Sequence, residues 1–204
     1  MDFKEIKSKA KEKINGKLWD VWKPAIIIGF ISMIISVIAT SIFGNESTTA
    51  ELVTALFSIL LIPAEVGYIS YMLKFVRGEE YDINELKAYY GQIGILIIIN
   101  ILVYIFVLLG FICLIIPGII LSFAYTMVFY VFIDNPGLNA KDYLNLSKDL
   151  MNGHKFNYFV FCLSFIGWIL LCGLIIPIIW VVPYITTAQT IYYEKLKELK
   201  KEEI

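Results

Sequence analysis

The stretch Asn139–Trp168, NAKDYLNLSKDLMNGHKFNYFVFCLSFIGW, decides how the chain is read. Its first part, residues 139–151, predicts a short amphipathic helix. Ala140, Tyr143, Leu144, Ser147, Leu150 and Met151 fall on one face, by steps of three and four. Lys141, Asp142, Asn145, Lys148 and Asp149 fall on the other. Asn139 is placed to cap this helix, and Asp142 adds negative charge to its first turn. Asn152-Gly153 then breaks it. After His154-Lys155 comes an apolar run long enough to enter a bilayer.

The residues on either side repeat that theme. Downstream, the apolar run Phe156–Tyr193 divides near Ile176-Pro177, which predicts spans at about 156–175 and 177–193. The tail 194–204 alternates in charge. Upstream, residues 94–133 contain no charged side chain. One crossing takes about 20 residues, so two spans are expected, at about 93–115 and 117–133, split at Pro117-Gly118. Asp134-Asn135-Pro136-Gly137 reads as a turn.

Before this lies a span at about 51–76, with Pro63 in its middle, where a proline kinks a helix. Asp82 and Glu85 start a short helix at about 82–90, stopped by Gly91. The first span, about 24–43, follows Trp19 and Trp22, which sit among Lys17 and Lys23 as aromatic and cationic anchors do at a membrane surface. Residues 2–18 form the first helix, with the stripe Phe3, Ile6, Ala10, Ile14, Leu18 and Lys4, Lys7, Lys9, Lys11 and Lys13 around it. This pattern suits an anionic membrane surface.

The composition agrees. Of 204 residues, 59% are apolar and 17% charged, against about 45–50% and about 25% in soluble domains. A water-facing fold is excluded on that balance. A net charge of −1 offers no basic field for nucleic acid. The charges are sorted by position instead. All 17 Lys and Arg lie in the N-terminal segment, the connections 74–92 and 134–156, and the tail. The three other turns have none. The positive-inside rule then places both termini in the cytoplasm. Re-entrant hairpins in place of the last two pairs of spans would keep the same pattern, and that alternative stays open.

The segments also recur as a short helix, a glycine stop and a two-span hairpin. The stops are at Gly16, Gly91 and Gly153, and Leu-Ile-Ile-Pro occurs at both 114–117 and 174–177. This predicts a pseudo-threefold repeat of helical hairpins.

Few residues invite chemistry. Glu65 is the one ionisable side chain deep in an apolar segment, which by default marks a site for ion or proton handling. Tyr68 and Ser70 are its nearest polar neighbours in sequence. Hydrogen bonding to them is the structural alternative. Lys13, Lys17, Trp19, Trp22, His154 and Lys155 are candidate contacts for lipid headgroups. Cys113, Cys162 and Cys172 lie in apolar runs without Cys-x-x-Cys spacing, so no metal site is expected. A Cys113–Cys172 disulfide is left open. No nucleophile–base arrangement or nucleotide-binding loop is present in sequence, so neither an enzyme nor a cofactor is expected.

Several of these residues carry a resemblance. Asn135-Pro136, Leu146-Ser147-Lys148, Met151-Asn152-Gly153-His154-Lys155 and Leu163-Ser164-Phe165-Ile166-Gly167-Trp168 resemble a bacterial integral-membrane family, domain of unknown function 975. Ile116-Pro117-Gly118-Ile119, Ala124-Tyr125 and Met127 are similar to its preceding segment. The resemblance implies a multi-pass protein of the bacterial cytoplasmic (plasma) membrane and carries over no catalytic residue. The expectation is therefore a single all-α integral membrane domain. It has six transmembrane helices in three hairpins, with short amphipathic interfacial helices on the cytoplasmic side. Its expected role is a non-enzymatic accessory or envelope protein that binds membrane lipids, anionic ones in particular, a protein partner or a second copy of itself. The alternative is a small transporter or channel using Glu65 at the Pro63 kink.

Overall fold

A computed structural model describes residues 2–45, 47–174 and 176–202, and among these every regular element is helical. Ten α-helices follow in order. They are α1 (Phe3–Ile14), α2 (Leu18–Phe43), α3 (Thr48–Arg77), α4 (Ile93–Cys113), α5 (Ile115–Tyr125), α6 (Val128–Asp134), α7 (Ala140–Leu150), α8 (Lys155–Leu163), α9 (Ile166–Leu171) and α10 (Ile178–Glu202). Short 3-10 turns occupy Ile83–Lys87, Tyr90–Gln92 and Cys172–Leu174.

The chain forms two layers that differ in what covers their apolar side chains. In α2, the first half of α3, α4 and the start of α5, large hydrophobics stand exposed: Phe30, Val37, Leu56, Ile101, Ile112 and Ile115 among them. Nothing in the protein covers this belt, as expected of helices that hydrocarbon solvates. The buried core gathers at the other end. It joins Ile6, Ala10 and Ile14 of α1 to Tyr71, Met72 and Phe75 of α3, and includes side chains of α6, α7, α8 and α10. Four helical segments are long and apolar enough to cross a membrane: Leu18–Phe43, Thr48–Arg77, Ile83–Cys113 and Ile115–Asp134. A fifth is reached only by joining α7 to α8–α9, which meet at a 75° bend. Six crossings are not confirmed.

The breaks between helices, and the prolines within them, leave carbonyl oxygens without an intrahelical donor. At four of them a side chain of a neighbouring helix supplies it. Pro24 has no N–H for the carbonyl of Asp20, and the Tyr71 hydroxyl donates there at 2.9 Å. Pro183 leaves the carbonyl of Ile179 free in α10, and the Trp22 indole donates to it at 2.8 Å. Where α5 ends, Ser147 Oγ donates to the carbonyl of Ala124 at 2.8 Å. Where α8 ends, Lys7 Nζ donates to the carbonyl of Ser164 at 2.8 Å. Each bond satisfies a backbone group that low-dielectric surroundings would otherwise penalise.

Several expectations are corrected. The first helix stops at Ile14, where Gly16 turns the chain at φ +73°, and it does not lay its stripe on lipid. Ile6, Ala10 and Ile14 are buried within the protein, because α1 packs along α10. Segment 82–90 forms 3-10 turns rather than an α-helix, for it is pressed backbone-first against Gly67 of α3. The second hairpin turns at Leu114, which is extended (φ −168°, ψ 156°), and not at Pro117. Pro117 sits in the first turn of α5, where its missing N–H costs nothing. The following span breaks at Thr126-Met127 into α5 and α6, and the segment 156–175 breaks at Ser164-Phe165. Helix 139–151 forms as α7 with its apolar face buried at Tyr143, Leu144 and Ser147, against the bundle and not against lipid. Of the three glycine stops, Gly16 and Gly153 take positive φ and Gly91 does not, so the middle unit departs from the other two. The four-residue break 174–177 includes Ile175, which lies outside the described residues, as do Glu46 and the end of the tail.

Gly67 carries the tightest of these contacts. A Cβ there would stand 2.3 Å from the carbonyl oxygen of Glu85 and 2.6 Å from Cα of Leu86. Gly67→Val should therefore destabilise the detergent-solubilised protein by about 1–3 kcal/mol in thermal unfolding. Gly29→Ala, at a position with nothing within 4 Å, serves as the control. Equal melting of the two variants would show that the 79–92 connection does not rest on α3.

Candidate functional site

The end of the bundle that carries both termini holds nearly all the described ion pairs. At its centre the last residues of α3 and α6 meet the second half of α10. Arg77 Nη2 contacts both Asp134 oxygens, at 2.8 and 2.9 Å, and Glu194 Oε1 at 2.7 Å. Lys197 Nζ completes the cluster at 2.6 Å from Asp134 and 3.1 Å from Glu194. The Tyr193 hydroxyl donates to Asp134 at 2.9 Å. Two cations and two anions thus neutralise one another, and the tyrosine meets a remaining carboxylate lone pair. Such a knot fixes the ends of α3 and α6 to α10. It offers no uncommitted acid or base.

A second cluster lies beside it. Glu85 accepts from Lys74 Nζ and, at 3.0 Å, from Ser70 Oγ. The Tyr89 hydroxyl donates to Ser70 Oγ at 3.2 Å. Ser70 is thereby committed to the 79–92 connection. Tyr68 interacts with Thr186 of α10. Glu65 is exposed on α3 and makes no hydrogen bond or ion pair among the described residues. The three candidate residues of the intramembrane polar site are therefore not brought together around one point.

The candidate lipid contacts divide into two sets. Phe3 packs on Phe161 with centroids 5.8 Å apart, Lys7 reaches Ser164, and Lys11 Nζ lies 5.6 Å from the Trp168 ring. Helix α1 therefore runs beside α8–α9 in the same direction. His154 and Lys155, half-buried at the start of α8, lie at one end of this ladder. Lys13, Lys17, Trp19 and Trp22 lie at the other. Lys13 and Lys17 are exposed and make no ion pair or side-chain hydrogen bond among the described residues, and Trp19 is 63% exposed. Trp22 is held by its bond to Ile179.

Between these elements runs a groove of about 610 Å³. Ser8, Lys11 and Asn15 form its polar rim, and Trp168, Trp180 and Tyr184 its aromatic wall. Partial burial lowers the pKa of Lys7 from the ordinary lysine value, and neighbouring Lys11 adds to the effect. Cys113, Cys162 and Cys172 are free thiols. No group of three or more His, Cys, Asp or Glu able to hold a metal ion occurs among the described residues.

The sequence reading did not find the Arg77 cluster. Arg77 lies 57 residues from Asp134 and 117 from Glu194, and Asp134 looked like an ordinary turn residue. The one available signal was that each carboxylate and cation closes an apolar run at the same end of the bundle. Arg77→Gln and Asp134→Asn should each cost about 1.5–3 kcal/mol in unfolding. The double variant should fall short of their sum by about 1 kcal/mol. Strict additivity would mean that the two side chains do not support each other. Glu65→Gln, with no partner to lose, should shift stability by no more than about 0.5 kcal/mol; a larger loss would reveal a contact that the folded chain does not display.

Comparison with known proteins bears on the same region. No curated protein and no solved structure matches the chain. One family does: the sequence profile of the family described as "Protein of unknown function (DUF975)" matches residues 92–200. That match runs from the foot of α4 into the end of α10, and takes in α7 with its glycine stop. It spans more than half of the 204 residues, and the chain belongs to this family, DUF975.

Proposed function

We propose that the chain is a non-enzymatic, multi-pass protein of the bacterial cytoplasmic membrane. Both termini lie in the cytoplasm, and its role is to hold anionic lipid at that face. The carrying observation is the corner where α1 meets α2. There Lys13 and Lys17 stand exposed and unpaired among the described residues beside the exposed Trp19. An indole suits the headgroup level of a bilayer, and ammonium groups next to it attract phosphate. All the other Lys and Arg lie in segments at the same end. An even number of crossings is what this distribution needs.

Each lysine near an anionic surface contributes about 1 kcal/mol. Lys13→Gln/Lys17→Gln should therefore lower retention of phosphatidylglycerol by the purified full-length protein by about tenfold or more. Retention of phosphatidylcholine should not change. Native mass spectrometry of the detergent-solubilised protein reads both. If the variant and the parent keep the two lipids equally, the proposal is wrong.

A further inference from the structure

The third hairpin is the one part of the chain whose depth in the membrane can be read from its contacts. The middle of its outgoing leg, α8–α9, lies beside α1, from Phe3–Phe161 through Lys7–Ser164 to Lys11–Trp168. Helix α1 carries Lys4, Lys7, Lys9, Lys11 and Lys13 as well as Glu5 and Glu12. Placing even one such charge at the centre of a bilayer costs about 2.5–3.5 kcal/mol. So many charges keep α1 in the headgroup region or above it. The leg packed on α1 therefore lies no deeper than one helix spacing, about 10 Å, below it.

The returning leg gives an independent measure. The Trp22 indole donates to the carbonyl of Ile179, which joins the start of α10 to the start of α2. Trp180 and Val181 line the same groove as Gly16 and Leu18. The turn of the hairpin, just before Ile178, therefore lies where α2 enters the membrane. From Trp22 to Phe43, α2 rises about 32 Å at 1.5 Å per residue. That is the full thickness of the hydrocarbon core, about 30 Å. A crossing hairpin would have to turn near the far end of α2, a whole bilayer away from where it turns.

The exposed side chains of the leg say what lies beneath it. Phe156, Phe159, Leu163, Ile166 and Leu170 are exposed and recur by steps of three and four; Trp168, Ile169 and Leu171 of α9 are exposed as well, while Phe161 and Phe165 are buried where the leg meets α1. The charged side chains of α1 stand over the buried side.

We propose that the α8–α10 hairpin is re-entrant. It dips into the leaflet on the side of the termini and returns without crossing. Its exposed stripe is seated among the acyl chains of that leaflet, and α1 covers it on the aqueous side. The protein then crosses four times, through α2, α3, α4 and α5–α6. This rests on the membrane reading above, but not on the preference for anionic lipid.

The native cysteines test it. Cys113 ends α4 at one turn, and Cys172 lies at the turn of the third hairpin. Two single-cysteine forms of the full chain, Cys162→Ser/Cys172→Ser and Cys113→Ser/Cys162→Ser, are treated with a membrane-impermeant maleimide from each side of sealed vesicles. A third form carries Ile176→Cys in a chain with all three cysteines replaced by serine. Cys113 should react from the side opposite the termini. Residues 172 and 176 should show a loss of all labelling from that side. A nitroxide on residue 176 should report a depth within the leaflet nearer the termini. Labelling of residue 172 or 176 from the side of Cys113, or a nitroxide in the opposite leaflet, overturns the inference. Reaction of Cys113 from the side of the termini would instead overturn the spans of the first two hairpins, a failure distinct from that of the third.

Discussion

The structure depends on backbone carbonyls that lack a donor. A helix in lipid satisfies its own backbone, but every proline and every break reopens that account. At Asp20, Ala124, Ser164 and Ile179 this chain closes it with a side chain from another helix: Tyr71, Ser147, Lys7 and Trp22. These four bonds are also the cross-links of the fold. They tie α2 to α3, α5 to α7, α1 to α8 and α2 to α10. A bundle of smooth, unbroken helices would have no such fixed points, since packing among Ile and Leu sets register only weakly.

The division into two layers follows from the same physics. Where helices meet hydrocarbon, burial within the protein gains little, and large apolar side chains stay on the outside. Where they emerge, water returns and the ordinary core reappears. It is dense in aromatic pairs such as Phe161–Tyr192 and Tyr130–Tyr193. The Arg77, Asp134, Glu194 and Lys197 cluster closes this region at the helix ends, where solvent still reaches part of each side chain. Partial exposure matters here. It lets an ion-pair network hold the ends of α3 and α6 to α10 without the full desolvation cost of buried charge.

Much of the fold could be read from local patterns, because the chain is helical and helix periodicity is local. The faces of α1 and α7 came out residue by residue: Ile6, Ala10 and Ile14 in one, Tyr143, Leu144 and Ser147 in the other. What covers a face is not local. The stripe of α1 fits lipid and α10 equally well in sequence, and only the folded chain shows that α10 takes it. Depth is likewise invisible to hydropathy: the apolar run 156–193 reads as two crossings, and in the folded chain a spanning length is reached there only by joining α7 to α8–α9 across a 75° bend. The turn at Leu114 was misplaced because Pro117 is a stronger breaker on paper than in the first turn of a helix. The exposure of Lys13, Lys17 and Trp19 was legible, since they flank the first long apolar run. The commitment of Ser70 to Glu85 and Tyr89 was not, because it depends on a connection folding back on α3.

The bonds from Lys7 to Ser164 and from Trp22 to Ile179 each span 157 residues. Both therefore belong to the chain's history as well as to its shape. During synthesis α1 leaves the ribosome 157 residues before Ser164, to which its Lys7 bonds. At about 5–20 residues per second the interval is roughly 8–30 s. For that time the first helix has its apolar stripe uncovered, its lysines free and a membrane beside it. The amphipathic pattern of its sequence describes that waiting state, and the finished protein covers the same stripe with its own last helix. Residues 164–202 act as a clasp, and α1 finds its place only when they have been delivered.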